Sequence, residues 1–422
     1  MFKSILFKVT KIKIGNLLFD RLIRLLYTIL SLYLGANFLI NQEFFILQQI
    51  TLFQSFLLFA ICLPVNSILV RLGNSSIEYF KSLLISTLLL RFVTGIISIC
   101  LFSFYLLYAN FNFLDILLII LGLTPTLLGT IFIIDILPHV FNFEGRKNWE
   151  LIFIYLFFFI IKCLSIVFLK SLVIKISIEL IEICLVILWN YKTYLVGLLS
   201  KNFIQTSNIR VKKLVKSSSG LYFNGILSVF ILRIDQFALI NFVDKQTLSS
   251  YMLIVSITSL FLTPMGLLSE RLAYVMSIAK SQSLAQFNKI SVKYLYIFAF
   301  LSLVLYLIFS FLFLPISQFV FNRDLSEFLI IALILGTTII SNSLGMIFGQ
   351  INSTLNGGMF TMRRSLIGCM LLFIGVNIGF KLYGIIGVAI ASASTLLITN
   401  IIFWFFSKKI RRVIFNRIGT VN

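Results

Sequence analysis

Arg233 and Asp235 stand inside an apolar run, Leu221 to Val243, in the order Ile-Leu-Arg-Ile-Asp-Gln. A charge at that depth in a bilayer costs about 2.5–3.5 kcal/mol even on the lenient insertion scale, so such residues face a partner or a polar cavity. Two further cations share the setting: Arg91 in the run Leu83 to Tyr108 and Lys162 in the run Leu151 to Leu169. At about 1.5 Å of rise per residue, all three fall near mid-membrane depth. Three cations at one depth suggest an anion site. Pairing is the alternative, Arg233 with Asp235 and Lys162 with Glu179 or Glu182 of the following run. Asp235 follows Arg233 by two positions and so points to another face of the helix, which rules out a simple intrahelical bridge. Glu179 and Glu182 share a face with Lys175, a pattern that favours a rim network over a proton relay. Ion coupling through Asp235 or Glu179 is a further role open to these acids.

Other chemistry finds few candidates. Cys62, Cys100, Cys163, Cys184 and Cys369 are scattered singly through apolar segments, as small packing residues are, and no metal set or disulfide is expected. His139 is the sole histidine and follows Pro138, an interfacial helix-end position. Asp115, Asp244, Asp324 and Glu327 sit on separate short connections where solvation suffices. No glycine-rich phosphate loop occurs, so a directly ATP-driven pump is not expected, nor is any cofactor.

The elements that must hold these charges follow from composition. The chain of 422 residues is 60% hydrophobic and 12% charged, against roughly 25% charged in soluble domains. Backbone amides in lipid need internal partners, and long apolar runs without period-two alternation select helices over a barrel. An all-α integral membrane protein results, with about twelve spans: six in an N-terminal lobe, residues 1–200, and six in a C-terminal lobe, 220–406. A basic linker, 201–219, joins them and a basic tail, 407–422, follows. With cytoplasmic termini, nearly every Lys and Arg falls on inner connections, and only Lys170, Lys175, Lys245, Arg323 and Lys381 fall outside. That asymmetry obeys the positive-inside rule. The net charge of +21 is then a matter of topology, and nucleic acid is not an expected partner. Gly345 and Gly349, and the series Gly384, Gly387, Ala389, Ala391 and Ala393, predict close helix approach.

Arg233-Ile-Asp235-Gln236, the later Tyr251 and Pro264, and Tyr383-Gly384-Ile-Ile-Gly387-Val-Ala389-Ile-Ala391 resemble the Wzx-type O-antigen and polysaccharide flippases of the MOP exporter superfamily. Leu34-Gly35 and Glu43-Phe44-Phe45 are similar to that family's start, without its usual glycine after the acid and aromatic. The resemblance implies a MATE-like pair of six-helix lobes around a central cationic cavity. It also implies alternating access, and movement of an undecaprenyl-diphosphate-linked oligosaccharide from the inner to the outer leaflet of a bacterial inner membrane. Arg91, Lys162 and Arg233 would attract the diphosphate. Membrane lipid and other polysaccharide-assembly proteins would be partners, and the membrane potential or a Na+/H+ gradient the drive. Two other functions compete. A multidrug antiporter would want an acidic site in the N-terminal lobe, where the first acid, Asp20, sits at the inner rim. A glycan polymerase would want a long outer loop.

Overall fold

A computed structural model describes residues 29–61, 77–109, 111–132, 146–192, 207–355 and 358–415. Cys62, Pro64, His139, Asp20 with the N-terminal basic cluster, the start of the basic linker and the end of the tail lie outside these residues. Hydrocarbon offers no partner to a backbone amide, so each segment crossing it satisfies its own, and among the described residues every regular element is helical. Surface chemistry is that of a lipid-embedded bundle. Phe104, Phe311 and Phe319 are 76%, 80% and 85% exposed, while Arg91, Lys162 and Asp235 are buried, the reverse of a water-facing domain. Six described helical stretches are long and apolar enough to cross a membrane, which makes this a multi-pass membrane protein.

The chain divides into two compact units, Met1–Tyr222 and Phe223–Asn422. Unit 1 contains α1 (Ile29–Phe38), α2 (Asn41–Ile61), α3 (Ile77–Tyr108), α4 (Phe113–Phe132), α5 (Arg146–Leu164) and α6 (Leu172–Asn190). In it α2 packs on α3 and α4, and α6 packs on α4 and α5. Helix α7 (Ser207–Leu239) begins in the basic linker and continues through Ser217–Gly220 without a break; the unit boundary falls within it, and Phe223–Leu239 belongs to unit 2.

Unit 2 continues with α8 (Lys245–Gln282), α9 (Leu284–Pro315), α10 (Leu329–Thr354), α11 (Gly358–Asn400) and α12 (Lys408–Phe415). Helix α10 is its centre and packs on α8, α9 and α11. Small residues allow that. A Cβ at Gly336 would lie 2.6 Å from the Phe309 ring, and one at Gly345 would lie 2.7 Å from the Asn400 side chain. Gly349 meets nothing within 4 Å, so only the first of the two predicted glycines is a packing residue.

Asp244 starts α8. Its carboxylate accepts from the amides of Gln246 and Thr247 at 3.1 and 3.0 Å and from the Thr247 hydroxyl at 2.7 Å, satisfying donors that the helix start leaves over. The Thr247 hydroxyl and these amides hold the Asp244 carboxyl below the usual carboxylate range.

Helix α11 is two arms. Gly384 sits at φ 59°, ψ −138°, a left-handed-side conformation open in practice to glycine alone. The chain reverses there, and arms 358–383 and 385–400 touch backbone to backbone. A Cβ at Gly387 would fall 1.9 Å from the Gly379 carbonyl oxygen, and one at Gly379 would fall 2.5 Å from that of Gly387.

Two outcomes follow. Gly387→Ala forces the arms apart, costs about 1–3 kcal/mol or more and lowers the apparent melting temperature in detergent by several degrees, whereas Gly349→Ala leaves it unchanged. Asp244→Ala removes the α8 cap at a cost of about 1 kcal/mol. Because the folded carboxyl titrates below its unfolded value, the cap contributes fully above about pH 4 and is lost as pH falls through the folded value. The stability gap between wild type and variant therefore closes in acid.

Candidate functional site

Four elements of unit 2, α7, α8, α10 and the second arm of α11, enclose a cavity of about 100 Å³. Arg233 and Asp235 line it from α7, Thr258 and Ser259 from α8, Thr338 and Asn342 from α10, and Ser392 from α11. At roughly 30 Å³ per water it holds a small ion or a few waters. Binding pockets for organic ligands run to about 300–1,000 Å³.

Asp235 is 4% exposed and fully engaged. Its Oδ2 accepts from the Tyr251 hydroxyl at 2.6 Å and the Ser392 hydroxyl at 3.1 Å, and its Oδ1 from the Gln236 amide at 2.8 Å. A buried carboxylate needs several such donors to remain in a low-dielectric site. Arg233, on the neighbouring face, reaches the Gln236 side-chain oxygen only at 3.5 Å. The two charges thus share a cavity, and their hydrogen bonds go to other groups.

A polar chain leads away from this wall. Asn342 accepts from the Asn400 amide at 2.9 Å, and Asn400 accepts from Arg364 at 2.8 Å. The Arg364 guanidinium lies 4.8 Å from the centre of the Trp404 ring, a cation–π distance. Arg364, counted among the inner-connection cations, is therefore buried, at 9% exposure.

In unit 1 the charges are placed differently. Lys162 Nζ donates to Glu182 Oε2 at 2.5 Å, both side chains buried. Lys175 donates to Glu179 at 2.8 Å across one turn of α6. Arg91 is 1% exposed and donates to the Thr130 carbonyl near the end of α4 at 3.0 Å. Asp115, expected to be solvated, is 3% exposed and accepts from the Gln42 amide at 3.3 Å. The correction has a physical reason: α4 begins two residues earlier and packs its first turn on α2, which supplies Gln42 as partner.

Of the three cations expected at mid-depth, Arg91 and Lys162 belong to unit 1 and Arg233 to unit 2, and Arg233 lines the cavity with an acid. Ser392, Thr258, Asn342 and Asn400 escaped sequence reading. Hydroxyls and amides are common within apolar helices and bond back to their own carbonyls, as Thr258 does to Ile254 at 2.9 Å. The signal that marks Asn342 and Asn400 is the amide itself, which has two donors to satisfy in an apolar setting.

No family model matches the chain, and no curated protein matches it. Solved structures do. An inward-facing multidrug-resistance MATE family transporter of the MOP superfamily superposes with a TM-score of 0.71 at 12% identity, over 92% of this chain and 94% of that one. Its outward-facing counterpart gives 0.62 at 13% identity, over 93% and 92%. A MATE transporter in complex with MaL6 gives 0.62 at 12%, over 93% and 94%. The fold is MATE-like.

Tyr251→Phe deletes the shortest hydrogen bond to Asp235 without changing shape. It lowers stability by about 1–3 kcal/mol, the usual cost of a buried polar group losing its partner. Its effect and that of Ser392→Ala are non-additive in a double-mutant cycle read by thermal unfolding.

Proposed function

We propose that this protein is an alternating-access transporter of a bacterial inner membrane that moves an undecaprenyl-diphosphate-linked oligosaccharide, an O-antigen or capsule repeat, to the outer leaflet. The observation that carries the reading is Arg233. It lines a polar cavity, and its adjacent acid is already engaged by Tyr251, Ser392 and the Gln236 amide. A half-buried cation in that setting attracts phosphate. The diphosphate needs such help, since moving one ion into low dielectric costs on the order of 20 kcal/mol in the idealised limit. The MATE-like fold supports transport over glycan polymerisation. Arg91 and Lys162 are held by the Thr130 carbonyl and by Glu182, which leaves Arg233 as the cation that carries the reading. With the cell interior negative, outward movement of an anion gains about 2.3 kcal/mol per charge per 100 mV, and Asp235 offers a carboxylate for a coupling cation.

A second reading has its own support. Structural neighbours are described as multidrug-resistance transporters, and a buried carboxylate at Asp235 suits a cation-coupled antiporter. One comparison separates the two. Arg233→Ala, expressed at wild-type level, stops the lipid-linked repeat from reaching the outer leaflet, scored by lectin access in spheroplasts, and leaves drug susceptibility unchanged. Normal export by that variant sinks the flippase reading. Altered drug susceptibility in its place establishes the antiporter.

A further inference from the structure

Helix α12 is amphipathic at an abrupt chemical border. Ile410 and Val413 are buried against Trp404, Met276, Phe287 and Phe348, while Lys408, Lys409, Arg411 and Arg412 face outwards. Lys409 donates to the Leu355 carbonyl at 2.9 Å and Lys280 to the Thr354 carbonyl. Two ammonium groups from separate elements thus close the C-terminal end of α10, where carbonyls are left over and the helix dipole is negative. That contact fixes the helix and occupies Lys409.

Lys408, Arg411 and Arg412 are a different matter. Helix α12 packs on α9, α10 and the short turn Ile402–Phe406, and none of these contains a single Asp or Glu. No acid follows Glu327 anywhere in the sequence. The same three elements add Lys289 and Lys293, both exposed, on α9. Among the described residues no ion pair reaches Lys408, Arg411 or Arg412. Immediately before α12, the side chains of Ile402, Phe405 and Phe406 are 43%, 41% and 70% exposed, an apolar rim with nothing from the described residues covering it. A ligand matching both features has an anionic head beside acyl chains, and a soluble anion matches only one.

We propose that the face of α12 formed by Lys408, Arg411 and Arg412, with the rim at Phe405 and Phe406, is a docking site for anionic phospholipid. The phosphate and its glycerol head lie on the guanidinium groups, and the acyl chains lie along the aromatic rim. The proposal does not rest on the transported substrate, and it is tested without transport. Purified full-length protein is titrated with phosphatidylglycerol or phosphatidylcholine in mixed micelles, with thermal unfolding and native mass spectrometry as readouts. Phosphatidylglycerol stabilises wild type and is retained in preference to phosphatidylcholine. Arg411→Gln with Arg412→Gln weakens phosphatidylglycerol binding about tenfold. Lys289→Gln with Lys293→Gln, an equal loss of charge, leaves it within twofold, and Arg411→Lys with Arg412→Lys retains most of it. Equal weakening by the two glutamine pairs reduces the effect to diffuse attraction and overturns the site. So does wild-type indifference between the two lipids, and so does full stabilisation by inorganic phosphate alone, which assigns the face to a soluble anion. If the Arg411→Gln, Arg412→Gln protein does not fold, Lys408→Gln with Phe406→Ser reads the same site, and unchanged lipid preference in it overturns the proposal.

Discussion

A carboxylate buried in hydrocarbon has to find its donors among neighbouring helices, and the packing of unit 2 is arranged around that need at Asp235. One donor comes from its own helix, the Gln236 amide; one from α8, the Tyr251 hydroxyl; and one from the second arm of α11, the Ser392 hydroxyl. Three elements therefore meet at one residue. The α11 contribution depends on a reversal at Gly384 and on arms close enough for Gly379 and Gly387 to touch. Replace the glycines by anything with a Cβ and Ser392 moves with its arm. The glycine series near the C-terminus and the acid in α7 are thus parts of one construction, although the sequence separates them widely.

The two units solve the same electrostatic problem in different ways. Unit 1 neutralises charge in place, with Lys162 on Glu182, Lys175 on Glu179 and Arg91 on a helix-end carbonyl. A buried ion pair is weak evidence of stability, but removing one partner is strongly destabilising, so these charges are committed to the fold. Unit 2 instead satisfies its acid with neutral hydroxyls and an amide, and places Arg233 beside it with only a long contact to Gln236. That arrangement leaves a cation and a carboxylate on one wall that can respond to an ion entering the cavity.

Much of this was legible in the sequence, for reasons of scale. Membrane helices announce themselves because every residue of a run must be apolar, and each run singled out overlaps a described helix or arm. The small-residue series from Gly384 to Ala393 predicted close helix approach, and Gly387 does meet Gly379; the turn at Gly384 itself was not read. Charges inside runs stood out by their cost, so Arg233, Asp235 and Lys162 were singled out, with Glu179 and Glu182 both left open as partners of Lys162; the structure gives Glu182. What could not be read were contacts between distant positions made by unremarkable residues: Ser392 on Asp235, Asn400 on Asn342, Gln42 on Asp115. Neither a lone serine in an apolar helix nor an acid near a helix start carries any mark of its partner, because partner choice is set by helix register and approach.

The polar chain from the cavity wall through Asn342 and Asn400 to Arg364 and Trp404 gives α10 a second set of constraints at its far end. Trp404 belongs to the cluster that buries Ile410 and Val413, and Lys280 and Lys409 close the last carbonyls of α10. The helix that contributes Thr338 and Asn342 to the cavity is therefore held near its middle by the Asn400 amide and at its C-terminal end by cations. Hydrogen bonds within hydrocarbon have no water to exchange with and hold register firmly. Lysine caps at the surface are weaker and respond to salt and to competing anions. A shift of α10 along its axis would break the second set before the first.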